Sequence, residues 1–164
     1  MLSNVPLCCQ WKGSIKRLER KFSRTVTGIF YFFPLFIFDS KGKAYTLPCH
    51  SLPSARGQGE PLTGRLNAES GETFRGVVSG ANETKIVLAS SSGYGFIGNL
   101  GDLQTKNKSG KAAIKVQEGA KVLIPSVIKD ENDVIAAITN QGRMLVFPHT
   151  DLPQLARGKG NKII

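Results

Sequence analysis

The sequence predicts an all-β, propeller-like fold of about three four-stranded blades, each roughly 50 residues long. Three observations carry this expectation. One layout occurs three times, at residues 36–62, 88–114 and 138–164: an apolar run ending in a glycine turn, a second apolar run ending in a leucine, then a glycine loop with basic residues. The register is tight, because the turn glycines Gly42, Gly93 and Gly142 are each followed ten positions later by a leucine, Leu52, Leu103 and Leu152. No stretch after residue 33 has the length and spacing of a long amphipathic helix.

The chain has 164 residues, about one ordinary domain and enough to bury a core. Its 18 glycines suit a fold built from short strands and tight turns. The formal net charge of +10 points to an anionic partner class, nucleic acid before others, and says nothing about fold. The three cysteines, Cys8, Cys9 and Cys49, form neither a CxxC pair nor a disulfide ladder. They read as incidental thiols of a reduced, cytoplasmic protein. His50 and His149 have too few thiols around them for a zinc site, so no metal and no cofactor is expected.

Residues 1–33 stand apart. Lys12, Lys16, Arg17, Arg20, Lys21 and Arg24 oppose a single acid, Glu19, so this fifth of the chain carries half the net charge. Ile15, Leu18, Phe22 and Val26 recur at helical spacing, which allows a short basic amphipathic helix. The apolar run at residues 28–38 is too short to span a bilayer and is broken by Pro34. It also lies too far from the start for a signal peptide. The segment reads as a basic tail running into the first strand, with no membrane role, and the β domain as residues 34–164.

From Pro34 onward the β pattern takes over. Residues 35–39 and 43–47 flank Ser40-Lys41-Gly42, a hairpin turn whose glycine supplies a positive φ. Ser91-Ser92-Gly93 and Asn140-Gln141-Gly142 repeat the device. Apolar strands are expected between the copies at residues 74–79 and 121–128, each followed by a polar turn. Residues 66–73 read as an exposed connection.

The chemistry lies in the glycine loops. Ala55-Arg56-Gly57-Gln58-Gly59 and Ala156-Arg157-Gly158-Lys159-Gly160 are nearly identical, and Lys106, Lys108 and Lys111 occupy the corresponding place in the middle copy. Glycines let backbone approach a phosphate, successive N–H groups cradle an anion, and Arg and Lys add charge and directed donors. Neither loop ends in Gly-Lys followed by Ser or Thr, so neither is a nucleotide P-loop. The competing reading is a solvated turn between blades. Asp102 and Asp151 each precede the leucine of their copy, but Ser51 stands there in the first, so a backbone-capping role outweighs a carboxylate pair. Tyr45 and Tyr94 read as core or rim aromatics.

The stretches LPSARGQGEPLTGRL, SSGYGFIGNLGDL, TNQGRMLVFPHTDLP and ARGKGNKII resemble the C-terminal domain of the A subunit of bacterial DNA topoisomerase IV, a relative of gyrase A. The resemblance runs from about residue 33 to residue 164. It implies a β-pinwheel, in which four-stranded blades exchange strands with their neighbours, and a basic rim that binds and bends duplex DNA to present a segment for strand passage. It implies a partial pinwheel here, since the family domain carries more blades than three. Three departures follow. No tyrosine is preceded by an arginine, the setting of the family's cleavage nucleophile. Residues 1–32 match nothing in the family. The gyrase box QRRGGKG is replaced by the looser ARGQGEP and ARGKGNK, so strong chiral wrapping is not implied.

The expectation is therefore a non-catalytic DNA-binding fragment of an ATP-hydrolysing topoisomerase family, cytoplasmic and nucleoid-associated. Its candidate DNA-binding residues are Arg56, Lys106, Lys108, Lys111, Arg157, Lys159 and Lys162, with Arg65 and Arg143 behind them. As partners the family would add the B (ATPase) subunit, together with another copy of the A subunit. The alternatives are a propeller-like scaffold that docks a protein, for example a chromosome-organising complex, or a decayed gene fragment. If residues 1–30 lie outside the β core, deleting them leaves the unfolding transition of the remainder nearly unchanged. A large loss of stability on truncation would show that they pack as part of the fold.

Overall fold

The computed structural model describes residues 33–53, 59–69 and 71–164. The basic segment at 1–32 with its possible helix, and Arg56, lie outside the described residues. Ten strands follow in order: β1 (Pro34–Asp39), β2 (Lys43–Pro48), β3 (Phe74–Ser79), β4 (Lys85–Ala89), β5 (Tyr94–Asn99), β6 (Lys111–Ala112), β7 (Ser126–Val127), β8 (Val134–Ile138), β9 (Met144–Pro148) and β10 (Asn161–Lys162). The helical content among the described residues is a single turn at Leu100–Leu103 and three short 3₁₀ turns. The expected all-β radial fold is what the chain adopts.

The strands make two four-stranded sheets of the same design. One runs β3-β1-β2-β6, the other β10-β5-β4-β7. In each, a hairpin from one repeat forms the centre. The strand that follows that repeat's glycine loop pairs with the first arm, β3 on β1 and β7 on β4. The second arm is paired by a two-residue strand from the next repeat, β6 on β2 and β10 on β5. The blades thus exchange strands along the chain. The third repeat contributes the hairpin β8–β9, a two-stranded sheet.

Blade one is buried on both faces, which explains its unbroken apolar run. Successive side chains of a strand point to opposite faces. Leu35, Ile37 and Tyr45 pack on one side with Leu62 and Leu66, while Phe36, Phe38 and Ala44 pack on the other. That second cluster is the joint between blades: Ile86, Leu88 and Phe96 of blade two close on it, with Leu100, Leu103 and Ile114. Each such large side chain contributes roughly 1.5–3 kcal/mol on full burial.

The structure departs from three expectations. The third repeat forms a two-stranded sheet where a four-stranded blade is expected. The run at 121–128 is a regular strand only at Ser126–Val127, with an isolated bridge from Val122 to Ser90. Pro125 has no N–H to give a ladder. The stretch 66–73 is less exposed than its polarity suggests. Leu66 is buried beneath blade one, and the Glu72 carboxylate is enclosed beside Lys41 at 3.0 Å.

A polar network holds the first turn. Asp39 is buried, and its carboxylate accepts from the N–H groups of Lys41 and Lys43 at 3.0 and 2.9 Å and from the Tyr45 hydroxyl at 2.9 Å. Burial, then this bond, pushes the Tyr45 hydroxyl above its ordinary range. Above it, Glu69 takes Lys41 and Lys43 at 2.7 and 2.6 Å. Those two bonds hold its carboxyl down at about 2.

Turn glycines do two jobs in the first two blades. Gly42 and Gly93 have φ of 95° and 80°, and a Cβ on either would overlap the carbonyl oxygen of an isoleucine from the next repeat, Ile114 or Ile164. Gly142 has φ of 78° with nothing within 4 Å of a Cβ. Gly142→Ala therefore costs about 1–2 kcal/mol at most, the backbone term alone. Gly42→Ala and Gly93→Ala cost visibly more in denaturant unfolding, because a blade joint must also open. Equal losses at all three positions would refute this account of the joint.

Candidate nucleic-acid interface

The middle glycine loop leaves β5 through the turn Leu100–Leu103 and returns as β6. Its start is fastened to blade one by a bond from the Thr105 N–H to the Thr46 hydroxyl, 3.1 Å. Asn107 organises the tip. Its side-chain oxygen accepts from the Ser109 N–H at 3.0 Å, and its carbonyl accepts from the Gly110 N–H at 3.1 Å. Lys106 and Lys108 flank it, both exposed, and the Lys108 carbonyl accepts from the Asn67 N–H at 2.9 Å. The Lys111 ammonium donates to the Asp102 carbonyl at 2.7 Å, so it lies back along its own loop. Asp102 serves through its backbone here.

The third loop is fixed at both ends and in the middle. The Ile97 N–H donates to the Pro153 carbonyl at 2.9 Å, and the Leu155 N–H donates to the Ile97 carbonyl at 2.8 Å. At the centre, Gly158 bridges Ile114 in parallel: the Lys115 N–H donates to the Gly158 carbonyl at 2.7 Å, and the Gly158 N–H donates to the Ala113 carbonyl at 3.3 Å. Arg157 and Lys159 therefore flank a glycine bonded directly to Ala113 and Lys115, just past β6 at the end of the middle loop. The Lys159 ammonium sits 3.8 Å from the centroid of the Tyr94 ring. Such a contact at a partly exposed site contributes about 0.5–1 kcal/mol and gives the ammonium a defined seat. Lys162 lies opposite Tyr94 in the β10–β5 register, exposed.

Two other candidates sit elsewhere. The Arg65 guanidinium is clamped inside blade one, with Nε on Glu60 at 2.7 Å and Nη1 on the Ser51 carbonyl. Arg143 is exposed at the turn of the third hairpin, away from the two joined loops in the chain's pairing. Lys115 is a basic residue that the sequence pattern does not single out. It is exposed and its N–H makes the bond to Gly158, yet it lies past the apolar pair that ends the glycine loop.

Charge is distributed unevenly. The acids at hand neutralise blade one: the salt bridges among the described residues join Lys41, Lys43 and Arg65 to Glu60, Glu69 and Glu72. Among the described residues, Lys106, Lys108, Lys111, Arg157, Lys159 and Lys162 form none. No acidic residue falls between Leu103 and Gln117, and none follows Asp151. Among the described residues no group of acids, histidines and cysteines could hold a metal ion. None of the described helices is long and apolar enough to cross a membrane.

A radial β fold with strands exchanged between consecutive repeats and an acid-free pair of glycine loops defines a class of protein, the gyrase-type pinwheel. The sequence profile of the DNA gyrase C-terminal domain, beta-propeller, matches residues 35–78, 84–129 and 133–164. The chain belongs to that family. It is 52% identical over 127 residues to the A subunit of DNA topoisomerase 4 from Pseudomonas aeruginosa, covering 77% of this chain and 17% of that protein. The same protein of Escherichia coli K12 is 49% identical over 131 residues, covering 80% of this chain and 17% of the relative. The chain thus spans about a sixth of the length of these relatives. Among solved structures, that of the E. coli ParC C-terminal domain aligns with a TM-score of 0.79 at 47% identity, over 85% of this chain and 56% of that one.

Proposed function

We propose that residues 34–164 form a DNA-holding unit that grips duplex DNA through phosphates along the two joined glycine loops, with residues 1–33 a separate basic segment. One observation carries this reading. The Ile114–Gly158 bridge sets two basic loops side by side in a stretch without acids. Lys106, Lys108, Lys111, Arg157, Lys159 and Lys162 supply the charge, and Lys115 joins them. Arg56 belongs to the equivalent loop of the first repeat. Arg65 is set aside because its partners are within blade one, and Arg143 stays a peripheral contact. Phosphate contacts position a duplex without reading its bases. A segment held on such a surface would be bent and offered for strand passage. That role fits relatives named as the A subunit of DNA topoisomerase 4. In a complete enzyme the partners would be the catalytic region, the ATPase subunit, plus another copy of the A subunit. The nucleoid would be the site of action.

The test is a salt series with unrelated duplexes. Changing Arg157 and Lys159 together to alanine lowers the slope of log affinity against log salt by roughly 2, alike for every sequence. A double mutant that binds like the parent at all salt concentrations would move the DNA path off this loop. A loss confined to one duplex would argue for base readout instead.

The unit is also proposed to be non-catalytic. No tyrosine follows an arginine, and the acids near the rim form no cluster among the described residues. Purified chain is expected neither to relax nor to cleave supercoiled plasmid, with or without magnesium and ATP. A topoisomer change that copurifies with the chain through successive columns would overturn this.

A further inference from the structure

The connection that follows the glycine loop is built alike in the first two blades and charged differently. In blade two the Lys115 N–H donates to the Gly158 carbonyl at 2.7 Å, the Ala120 N–H to the Gln117 carbonyl at 3.0 Å, and the Ser91 N–H to the Lys121 carbonyl at 2.8 Å. In blade one the Asn67 N–H donates to the Lys108 carbonyl at 2.9 Å, the Glu72 N–H to the Glu69 carbonyl at 3.2 Å, and the Ser40 N–H to the Thr73 carbonyl at 2.9 Å. Gly71 and Gly119 carry the matching positive φ, 84° and 75°. Each connection then meets its hairpin in one register, Phe74 opposite Asp39 and Val122 opposite Ser90. Glu69 thus stands where Gln117 does, and Glu72 where Ala120 does.

The lysines facing these acids are also particular to blade one. Lys43 pairs with Ala112 as Tyr94 pairs with Lys162, so Lys43 takes the place of Tyr94. In blade two that position seats the Lys159 ammonium. In blade one the Lys43 ammonium is taken by Glu69 at 2.6 Å. Lys41 is held between Glu69 at 2.7 Å and the enclosed Glu72 at 3.0 Å. Gln117 and Ala120 can form no such pair, and Glu118 beside them makes no salt bridge among the described residues. Blade two makes the same backbone bonds without the acids, so the connection does not need them to form. Exposed ion pairs of this kind add little stability. Their effect is on the field: a lysine paired with a carboxylate neutralises no phosphate, and the carboxylate repels one.

We propose that Glu69 and Glu72 are an acidic mask that keeps Lys41 and Lys43 out of the DNA track. The inference rests on the DNA-holding reading above and deepens it. Lys43 lies opposite Ala112, next to Lys111, and the Asn67 N–H fastens the acidic connection to Lys108. The mask therefore sits at the edge of the middle loop and sets where phosphate contact stops. Lys43 is a latent phosphate contact that becomes available when Glu69 loses its charge.

The test titrates the full chain and its variants with one duplex across a salt series. Glu69→Gln gives blade one the side chain that the same position already carries in blade two. Lys41 stays with Glu72, so the cation released is Lys43. The slope of log affinity against log salt is expected to steepen by about 1, as one further phosphate contact requires. Lys43→Ala alone leaves the parent slope unchanged, and added to Glu69→Gln it removes the gain. Glu131→Gln, at an exposed position between β7 and β8, adds the same net charge and keeps the parent slope. With a steep parent slope, any of four results would overturn the mask: Glu69→Gln binding like the parent, a gain that survives the loss of Lys43, the same gain from Glu131→Gln, or a lower slope for Lys43→Ala alone. A parent slope near zero would sink the DNA-holding reading itself, and the mask with it.

Discussion

The structure depends on one recurring backbone contact, the N–H of an arriving repeat bonded to the carbonyl of the previous hairpin's turn glycine. Ala113 and Ile114 make it to Gly42, and Ile163 makes it to Gly93. The turn must present its carbonyl outward with a positive φ, and it must leave room for an isoleucine backbone. Only glycine meets both demands. Neither blade is closed by its own repeat, so a blade's stability is shared with the repeat that follows. The apolar joint of Phe36, Phe38, Ile86, Leu88 and Phe96 then forms between blades rather than within one.

The same loops carry the joint and the charge. The strand β6 ends the loop of Lys106, Lys108 and Lys111, and β10 follows Arg157 and Lys159. A loop tied at both ends can hold its cations in place at small entropic cost, because the backbone is already ordered by folding. The seat of Lys159 on Tyr94 extends this to a side chain. Tyr94 is positioned by β5 and faces Lys162 of β10, so the aromatic surface exists only where two repeats have met.

Much of this is legible in the sequence and some is not. The period, the turn glycines and the closing leucines are visible because each is a local demand: positive φ at the turn, burial at Leu103 and Leu152. The exchange is not visible in the residues themselves. Strands of two residues, such as Lys111–Ala112 and Asn161–Lys162, carry no periodicity, and only the family resemblance implies that blades swap strands. Leu66 reads as exposed because its polar neighbours hide a single inward side chain. Arg65 is indistinguishable from a rim residue, since its clamp depends on Ser51, fourteen positions away. Lys115 goes unnoticed for the opposite reason: nothing local marks it, and its place is set by a bridge to Gly158.

The placement of acids decides which basic residues remain available. Lys41 and Lys43 are as basic as the loop lysines, yet Glu69 and Glu72 face them across 2.6–3.0 Å. The Glu69 carboxyl, held at about 2, stays ionised at any pH a cell reaches. Its folded value lies below its unfolded one, so whatever stability the pair adds is complete above the ordinary carboxylate range and is lost as pH falls through about 2. Because the pair is exposed, solvent screens it and its contribution is small. Its larger effect is on the field: it cancels two cations at the first turn and leaves the acid-free loops as the place where an anion finds unopposed charge.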